Sequence, residues 1–264
     1  MIMSDSIYKP LIDSMRWSYS RVTSFDNCQY AWYLKYLYGE IEQPNFYASY
    51  GSFVHKLLER YLKGELPRQS LPVEFLTGFA DQVDGRRPSD DVVGKYIESG
   101  YNYFRNFNGF DLECVAVEDR IEFCIGQNRF VGFIDFIGRD SDGGLVVVDH
   151  KSRNLKPRST RKKPTKSDEE LSQYLRQLYL YSVGIEQKYG ELPTKLCFNC
   201  FRNGTFIEEP FNSDRCEEVM KWVTDMISYI SKAERFRPNL DWFYCYNLCG
   251  FRESCCYFND FMRG

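Results

Sequence analysis

The sequence predicts an α/β protein in which a mixed central sheet is flanked by helices, with a helical N-terminal part. Three observations support this fold class. Large apolar residues recur at helical spacing up to about residue 107. The period changes to that of strands after Gly109. A helix, a pair of strands and a last helix follow. Because the first of these helices can carry the chain back across the sheet, a parallel strand pair is expected beside the antiparallel ones. We expect one domain over residues 1–264.

The first part of that domain, residues 18–108, is predicted to be helical. Its first helix opens with Ser and Thr residues that can cap it, and it stops at Gly39. The helices are expected at 18–38, at 51–63 and, on either side of a polar break near 85–90, twice within 73–107.

The second part, residues 109–232, is predicted to hold the sheet. Gly126-Gln127-Asn128 and Asp142-Gly143-Gly144 are turn signals between three strands. Asn203-Gly204 is typical of a hairpin turn. The strands are expected at 112–125, 129–139, 144–152, 195–201 and 204–211, and the helices at 169–189 and 213–232. The tail, residues 233–264, is rich in Cys and aromatic residues and too short to hold a core of its own.

Composition limits the function classes. The chain has 264 residues, 43% of them hydrophobic, and a net charge of −3, which is typical of a globular protein and does not by itself indicate a nucleic-acid binder. The N-terminus lacks the pattern of a signal peptide, and no stretch has the length of a membrane span. We therefore expect a cytoplasmic protein that does not contact membranes. Ten cysteines in a reducing compartment favour metal or cluster ligation over disulfides.

Two acids and a lysine stand on two successive predicted strands, with Asp149 and Lys151 at the end of the second. Because side chains alternate along a strand, Asp149 and Lys151 share one face and His150 takes the other. Asp135 lies fourteen positions before Asp149, close enough for a hairpin to bring the two carboxylates together. Two carboxylates can bind Mg²⁺ or Mn²⁺, and a lysine can orient water or stabilise developing charge. The alternative is a salt bridge at a strand end, which the second acid makes less attractive.

Two further pairs occur at helical spacing. His55 follows Gly51 on the second helix, with Glu59 one turn later, and imidazole suits Mn²⁺ beside carboxylates. Gln177 and Tyr181 lie one turn apart on the helix after Lys151. Each pair alone is as easily explained by ordinary hydrogen bonding.

The ordered motifs GSFVH, GFID, VVDHK and QLYLY, taken together, resemble the RecB-like nucleases of the PD-(D/E)XK superfamily, from about residue 18 to residue 258. Asp149 stands where the family also often has Glu. The resemblance implies a restriction-endonuclease-like core and a metal-dependent nuclease. It also implies Lys151 as catalytic lysine and a Q-xxx-Y motif that helps to place DNA and the lysine. It implies the metal ligands His55, Asp135 and Asp149, and the Q-xxx-Y residues Gln177 and Tyr181.

The tail carries a dense group of cysteines. Cys245, Cys249 and Cys255 are spaced x3 and x5, Cys256 is adjacent, and Cys28 stands far upstream. Four thiolates can hold a [4Fe–4S] cluster or a zinc ion. The remaining cysteines are expected to pack as small apolar residues, the strand-borne C-x-x-C among them: Cys114, Cys124, Cys197, Cys200 and Cys216.

This cysteine pattern is similar to an iron–sulfur subgroup of RecB-like nucleases that includes CRISPR-associated exonucleases and the AddB nuclease domain. The resemblance implies a [4Fe–4S] cluster on Cys28, Cys245, Cys249 and Cys255. The spacing x3 replaces the usual x2, and Gln29 replaces the usual Pro, so zinc remains an alternative metal and Cys256 an alternative ligand. The role would be structural, since such a link closes a loop of most of the chain.

A basic segment directly follows the strand of Asp149. It holds eight Lys or Arg and no acid between Lys151 and Lys166, and its Ser, Thr and Pro content predicts a mobile loop. Phosphate contacts of this kind are independent of sequence. The residues expected to contact DNA are Arg153, Lys156, Arg158, Arg161, Lys162 and Lys163.

The sequence has no recognition-helix motif, which favours a sequence-nonspecific exonuclease on DNA ends or single strands. A helicase or recombination partner is expected by analogy only. A structure-specific endonuclease, a catalytically idle DNA-binding or scaffold protein, and an iron–sulfur redox protein are the alternatives. The complete set of two acids and a lysine argues against the idle protein, and the lack of a cofactor-binding loop argues against the redox protein.

Overall fold

The computed structural model describes residues 7–263. Its helices are α1 Lys9–Asp13, α2 Tyr19–Asn27, α3 Gln29–Tyr33, α4 Phe46–Leu62, α5 Leu71–Gln82, α6 Asp90–Asn106, α7 Lys166–Tyr189, α8 Ser213–Ser231 and α9 Cys256–Arg263. Its strands are β1 Glu113–Ile125, β2 Asn128–Arg139, β3 Leu145–Lys151, β4 Lys195–Cys200 and β5 Thr205–Pro210. Short π turns at Leu34–Tyr38 and Tyr244–Leu248 and a 3₁₀ turn at Arg68–Ser70 complete the described elements.

The five strands form one mixed sheet in the order β1-β2-β3-β4-β5. The pairs β1–β2, β2–β3 and β4–β5 are antiparallel, and β3–β4 is parallel. The parallel pair follows from α7, which carries the chain back across the sheet between β3 and β4. The predicted fold class, an α/β protein with a mixed sheet between helices, is confirmed.

Two buried clusters lie on either side of the functional residues. One joins the sheet to α2, α7 and α8, with the small residue Gly184 letting α7 approach the sheet closely. The other joins α4, α5 and α6 through aromatic side chains and takes in Phe201 just after β4. The end of β3 therefore lies between the helical N-terminal part and α7, where both can contribute side chains.

Three predicted helix bounds were wrong. The helix expected at 18–38 is broken at Cys28, which has an extended backbone and caps α3 through its own sulfur. The second helix starts at Phe46 rather than 51, because the Asn45 side chain accepts the Ala48 N–H. The long helix starts at Lys166 rather than 169, behind a capping box made by Thr165.

The tail packs against the N-terminal part rather than on itself. Main-chain hydrogen bonds join Gln43 N–H to the Gly250 carbonyl and Tyr30 N–H to the Arg237 carbonyl. The Asn45 amide donates to the Leu248 carbonyl. All ten cysteines are free thiols in the structure. Within residues 7–263 no helix combines the length and the apolar character that crossing a membrane requires.

Candidate active site

Asp135 and Asp149 are neighbours across β2 and β3. The antiparallel register pairs Phe136 with Val148, which places the two acids opposite each other one step further along. Both are buried, with 9% and 5% of their surface exposed. Buried acids require partners or a cation to be stable, so this pair is unlike an ordinary surface salt bridge.

His150 separates Asp149 from Lys151 and points away from them. Its ring stacks on Phe110, and its Nδ1 accepts the Asn199 amide at 3.2 Å. Burial lowers the pKa of His150 to about 3, so the ring is neutral. The backbone N–H of His150 donates to Asp135 Oδ2 at 2.6 Å. The main chain of His150 thus positions one acid while the alternation expected along this strand is preserved.

His55, on α4, reaches the same acid from the helical part. Its Nε2 lies 2.9 Å from the His150 carbonyl oxygen, which can only accept, so Nε2 carries a proton. Nδ1 then faces Asp135 Oδ1 at 3.5 Å. Burial lowers the pKa of His55, but the hydrogen bond to Asp135 and its charge outweigh burial and raise it. In the neutral tautomer, Nδ1 offers a lone pair toward the acids, the arrangement typical of a metal-binding histidine.

Lys151, Gln177 and Asp149 form a closed network. Lys151 Nζ donates to Gln177 Oε1 at 2.8 Å, and Gln177 Nε2 donates to Asp149 Oδ1 at 2.9 Å. Lys151 Nζ also lies 2.7 Å from Asp149 Oδ2. The rings of Tyr174 and Phe198 enclose the ammonium. The amide of Gln177 therefore fixes the lysine and the acid relative to each other.

The two acids differ in electrostatics. Burial raises the pKa of Asp149 to about 6, partly offset by Lys151. Burial by itself would raise the pKa of Asp135 too, but the hydrogen bond and charge of His55 outweigh burial and hold that pKa well below the usual range. Asp149 Oδ2 faces the Lys151 ammonium at 2.7 Å and has no other polar partner among the described residues. A buried carboxylate oxygen with a single cationic partner still has a lone pair that a metal ion can take.

Glu118 is a further candidate metal ligand, which the sequence motifs do not indicate. One ligand atom each from His55, Glu118 and Asp135 lie within 4.8 Å of one another. Burial raises the pKa of Glu118 to about 7, and Asp135 adds to the rise. Glu118 has a φ of 52°, and among the described residues it is the only one other than glycine with a positive φ. Counting cross-strand pairs back from the β1–β2 turn reaches Glu118 opposite Asp135, so the hairpin register could have found it.

Tyr181 supports the network from one turn further along α7. It is buried, and its hydroxyl interacts with Gln177, while burial raises its pKa. Its ring lies against the backbone of Gly132, where an added Cβ would meet Tyr181 Cε1 at 2.6 Å. The glycine of the GFID motif is therefore needed for the close approach of this tyrosine. Gly51, by contrast, has room for a Cβ, and nothing in the structure explains it.

The residues at this site fit a hard divalent cation. Carboxylates and one imidazole with a free lone pair are ligands that Mg²⁺ and Mn²⁺ accept. His55, Glu118 and Asp135 bring one ligand atom each within 4.8 Å of one another, and the Asp149 carboxylate lies opposite Asp135 on the next strand. When bound, such a cation polarises a phosphate oxygen and lowers the pKa of a water molecule.

The basic segment lies between β3 and α7, and its cations are not equivalent. Leu155 is buried, and the Asp168 carboxylate accepts hydrogen bonds from Ser159 and Thr165, so this loop is anchored at several points. Arg158 is ion-paired with Glu209. The other predicted DNA contacts are exposed: Arg153, Lys156, Arg161, Lys162 and Lys163.

The four cysteines of the predicted cluster share one neighbourhood. Each of Cys245, Cys249 and Cys255 has its pKa raised chiefly by burial and further by the Cys28 thiol. Cys28 Sγ accepts the N–H groups of Ala31 at 3.5 Å and Asn239 at 3.4 Å.

Cys256 differs from these four. Its thiol points to the Tyr30 hydroxyl. The geometry therefore brings together the four predicted cysteines and turns the alternative ligand aside.

A five-stranded mixed sheet with two buried acids and a lysine on neighbouring strands defines an α/β protein of the restriction-endonuclease-like class. The family model of the PD-(D/E)XK nuclease superfamily matches residues 16–256, so the chain belongs to that superfamily.

Curated relatives match over part of the chain. In three serotypes of Streptococcus agalactiae, Ia, V and III, the relative is the ATP-dependent helicase/deoxyribonuclease subunit designated B. Each is 26% identical over 159 residues, which is 54% of this chain but 14% of the relative. A crystal structure from Eubacterium rectale, provisionally described as an exonuclease, shares the fold with a TM-score of 0.55 at 13% identity, over 96% of this chain and 93% of that one.

Proposed function

We propose that this nuclease hydrolyses DNA phosphodiester bonds in a divalent-metal-dependent reaction. The observation that carries the proposal is the pair of buried acids, Asp135 and Asp149, on paired strands with the Lys151 ammonium 2.7 Å from Asp149. A purely structural ion pair has no need of the second acid, of His55 or of Glu118 at the same point.

The side chains divide the work. Asp135, Asp149, His55 and Glu118 would hold Mg²⁺ or Mn²⁺. The Lys151 ammonium, held by Gln177, stands ready to orient water and to stabilise charge on the phosphate as it develops. Tyr181 keeps Gln177 in place, and the exposed cations of the basic segment contact the DNA backbone.

We further propose an exonuclease that acts on DNA ends or single strands without sequence preference. The descriptions of the Eubacterium rectale protein as an exonuclease and of the streptococcal relatives as deoxyribonuclease subunits support this mode. The word helicase in the name of those relatives also motivates a helicase or recombination partner.

The test is digestion of end-labelled linear DNA and covalently closed circular DNA with Mg²⁺ or Mn²⁺. We expect cleavage of the linear DNA alone, abolished in Asp149→Ala and Lys151→Ala and retained in Asp142→Ala, an acid in the β2–β3 turn outside the site. Cleavage of circles would favour the structure-specific endonuclease. Equal activity in all variants would contradict the site.

We also propose that Cys28, Cys245, Cys249 and Cys255 bind a [4Fe–4S] cluster in a cytoplasmic protein. The N–H groups of Ala31 and Asn239 are directed at the sulfur of Cys28, and hydrogen bonds to the sulfurs are among the contacts by which a protein tunes such a cluster. Zinc is the alternative metal for four thiolates, and iron and zinc analysis of the purified protein distinguishes the two. Bound to both ends of the chain, the cluster supplies a structural link.

A further inference from the structure

A cavity lies between the basic segment, α7 and α8. Its volume is about 650 Å³. Five cations line it, namely Arg158, Arg161, Lys162, Arg176 and Arg215, together with three acids and Trp222. The charges are not all available, because Arg158 is ion-paired with Glu209 and the Asp168 carboxylate is filled by hydrogen bonds from Ser159 and Thr165. Four of the cations are therefore left to balance two exposed carboxylates, those of Glu169 and Glu218.

The four remaining cations have no ion-pair partner among the described residues. Within residues 7–263 no carboxylate lies within 4.0 Å of Arg161, Lys162, Arg176 or Arg215. Arg215 stands in the first turn of α8, where the helix dipole disfavours a cation, so helix stability does not explain it. Arg176 lies over the Trp222 ring at 4.7 Å, which fixes the guanidinium plane while leaving its N–H groups free.

The cavity is adjacent to the catalytic network. Arg176 directly precedes Gln177 on α7, and Gln177 joins Lys151 to Asp149. Tyr19, whose ring contacts Trp222, donates to the Gln173 carbonyl one turn earlier. Burial raises the pKa of Tyr19 to about 12, Arg176 opposes that rise and Asp149 adds to it, so Tyr19 lies within reach of both charges. The cavity and the catalytic network therefore share α7, and a strand bound at Asp149 has Arg176 of the cavity on the helix that also supplies Gln177.

We propose that this cavity binds a phosphate group of the nucleic-acid strand, held by Arg176 and Arg215 from the helices and by Arg161 and Lys162 from the loop. The forked guanidinium groups match phosphate oxygens in a bidentate manner. The inference rests on the proposed function and adds a binding site outside the metal-binding residues. The phosphate is either internal to the strand or a terminal 5′-phosphate, and the experiment separates the two.

The test is fluorescence anisotropy of a 3′-labelled single-stranded oligonucleotide, with either a 5′-phosphate or a 5′-hydroxyl, in EDTA to prevent cleavage. We expect Arg176→Ala and Arg215→Ala each to weaken binding about 10-fold. The slope of log K against log salt should fall by about 0.7 per variant, as for one lost phosphate contact on a single strand. Lys221→Ala, which removes an ion-paired α8 cation outside the cavity, should bind as the wild type does.

The outcomes separate the alternatives. If the 5′-phosphate strengthens wild-type binding and the advantage disappears in both variants, the cavity holds the strand end. If the variants bind both oligonucleotides more weakly by the same factor, the cavity holds an internal phosphate. Wild-type affinity and salt slope in the variants, or an equal loss in Lys221→Ala, would overturn the proposal.

Activity keeps this test separate from that of the proposed function. Arg215→Ala should raise KM in Mg²⁺ and leave kcat unchanged, because Arg215 lies outside the chemistry. Variants that cleave DNA with an unchanged KM would contradict the cavity proposal alone. Wild-type protein that neither binds nor cleaves DNA would contradict both the cavity proposal and the proposed nuclease function. Arg215 is exposed, so its variant tests the proposal even where Arg176→Ala, which loses its contact with Trp222, folds poorly.

Discussion

The catalytic region and the cysteine region hold their reactive groups in different ways. Asp135 and Asp149 stand on paired strands of a buried sheet, and the chain's own donors fix their orientation. The thiols stand on short turns, and the described apolar cluster around them contains only four buried residues: Cys28, Ala31, Leu34 and Phe251. The first region is organised by the fold, whereas the second would gain much of its stability from the proposed cluster. Substitutions should therefore affect activity in one region and stability in the other.

The largest expected effect is on activity in the catalytic region. Asp149→Asn should lower kcat/KM about 10³-fold, about 4 kcal/mol on the barrier, because the cation loses its charged ligand. The isosteric amide removes a buried charge that the fold disfavours, since burial raises the pKa of Asp149. Thermal unfolding in EDTA should show a Tm equal to or above that of the wild type. A clearly lower Tm would mean that this region, too, depends on its charged groups for stability.

Most of this region could be predicted from the sequence. The alternation along β3 separates His150 from Asp149 and Lys151 without any knowledge of tertiary structure, and the spacing of Gln177 and Tyr181 places both on one helix face. Glu118 was missed because its importance depends on the register of β1 against β2, and a positive φ is not visible in the sequence.

Other features depended on long-range contacts. The break at Cys28 interrupts a segment with good helical periodicity, and there the Cys28 sulfur accepts an N–H of residue 239. Arg158 was grouped with the exposed cations of its loop, but its partner Glu209 lies on a strand fifty-one positions away. Arg176 and Arg215 were not predicted because their shared cavity forms only when α7 and α8 pack together.

The next effect is on stability in the cysteine region. Cys249→Ala should lower the free energy of unfolding by about 3–4 kcal/mol, because a link closing a long loop is lost. At about 2–4 °C per kcal/mol for a protein of this size, Tm should fall by roughly 10 °C. Differential scanning calorimetry with iron and zinc analysis measures both consequences. Cys256→Ala is the matched control, since its thiol contacts Tyr30 instead; equal losses in the two variants, or unchanged metal content in Cys249→Ala, would rule out the assigned ligands.

A smaller effect is expected where the catalytic region meets solvent. Neutralising Arg161, Lys162 and Lys163 together should weaken DNA binding by about 2–3 kcal/mol and reduce the salt slope by about 2, without changing Tm. All three are exposed, so no packing is lost. Binding titrations over a range of salt concentrations measure the slope. An unaltered slope would remove this loop from the DNA-binding surface.

The smallest effect concerns Glu118, and it tests whether the catalytic region is destabilised when its acids are charged. The pKa of Glu118 rises from 4.5 to about 7 in the fold, so the folded state keeps a proton that the unfolded state has released. Its contribution to stability is present below pH 4.5 and is lost as the pH rises through about 7. In EDTA, the Tm of Glu118→Gln minus that of the wild type should grow between about pH 5 and pH 7 and level off above. Mn²⁺ should reverse the order, because only the wild type gains a ligand. A pH-independent difference, or equal stabilisation of both proteins by Mn²⁺, would exclude Glu118 from the metal site.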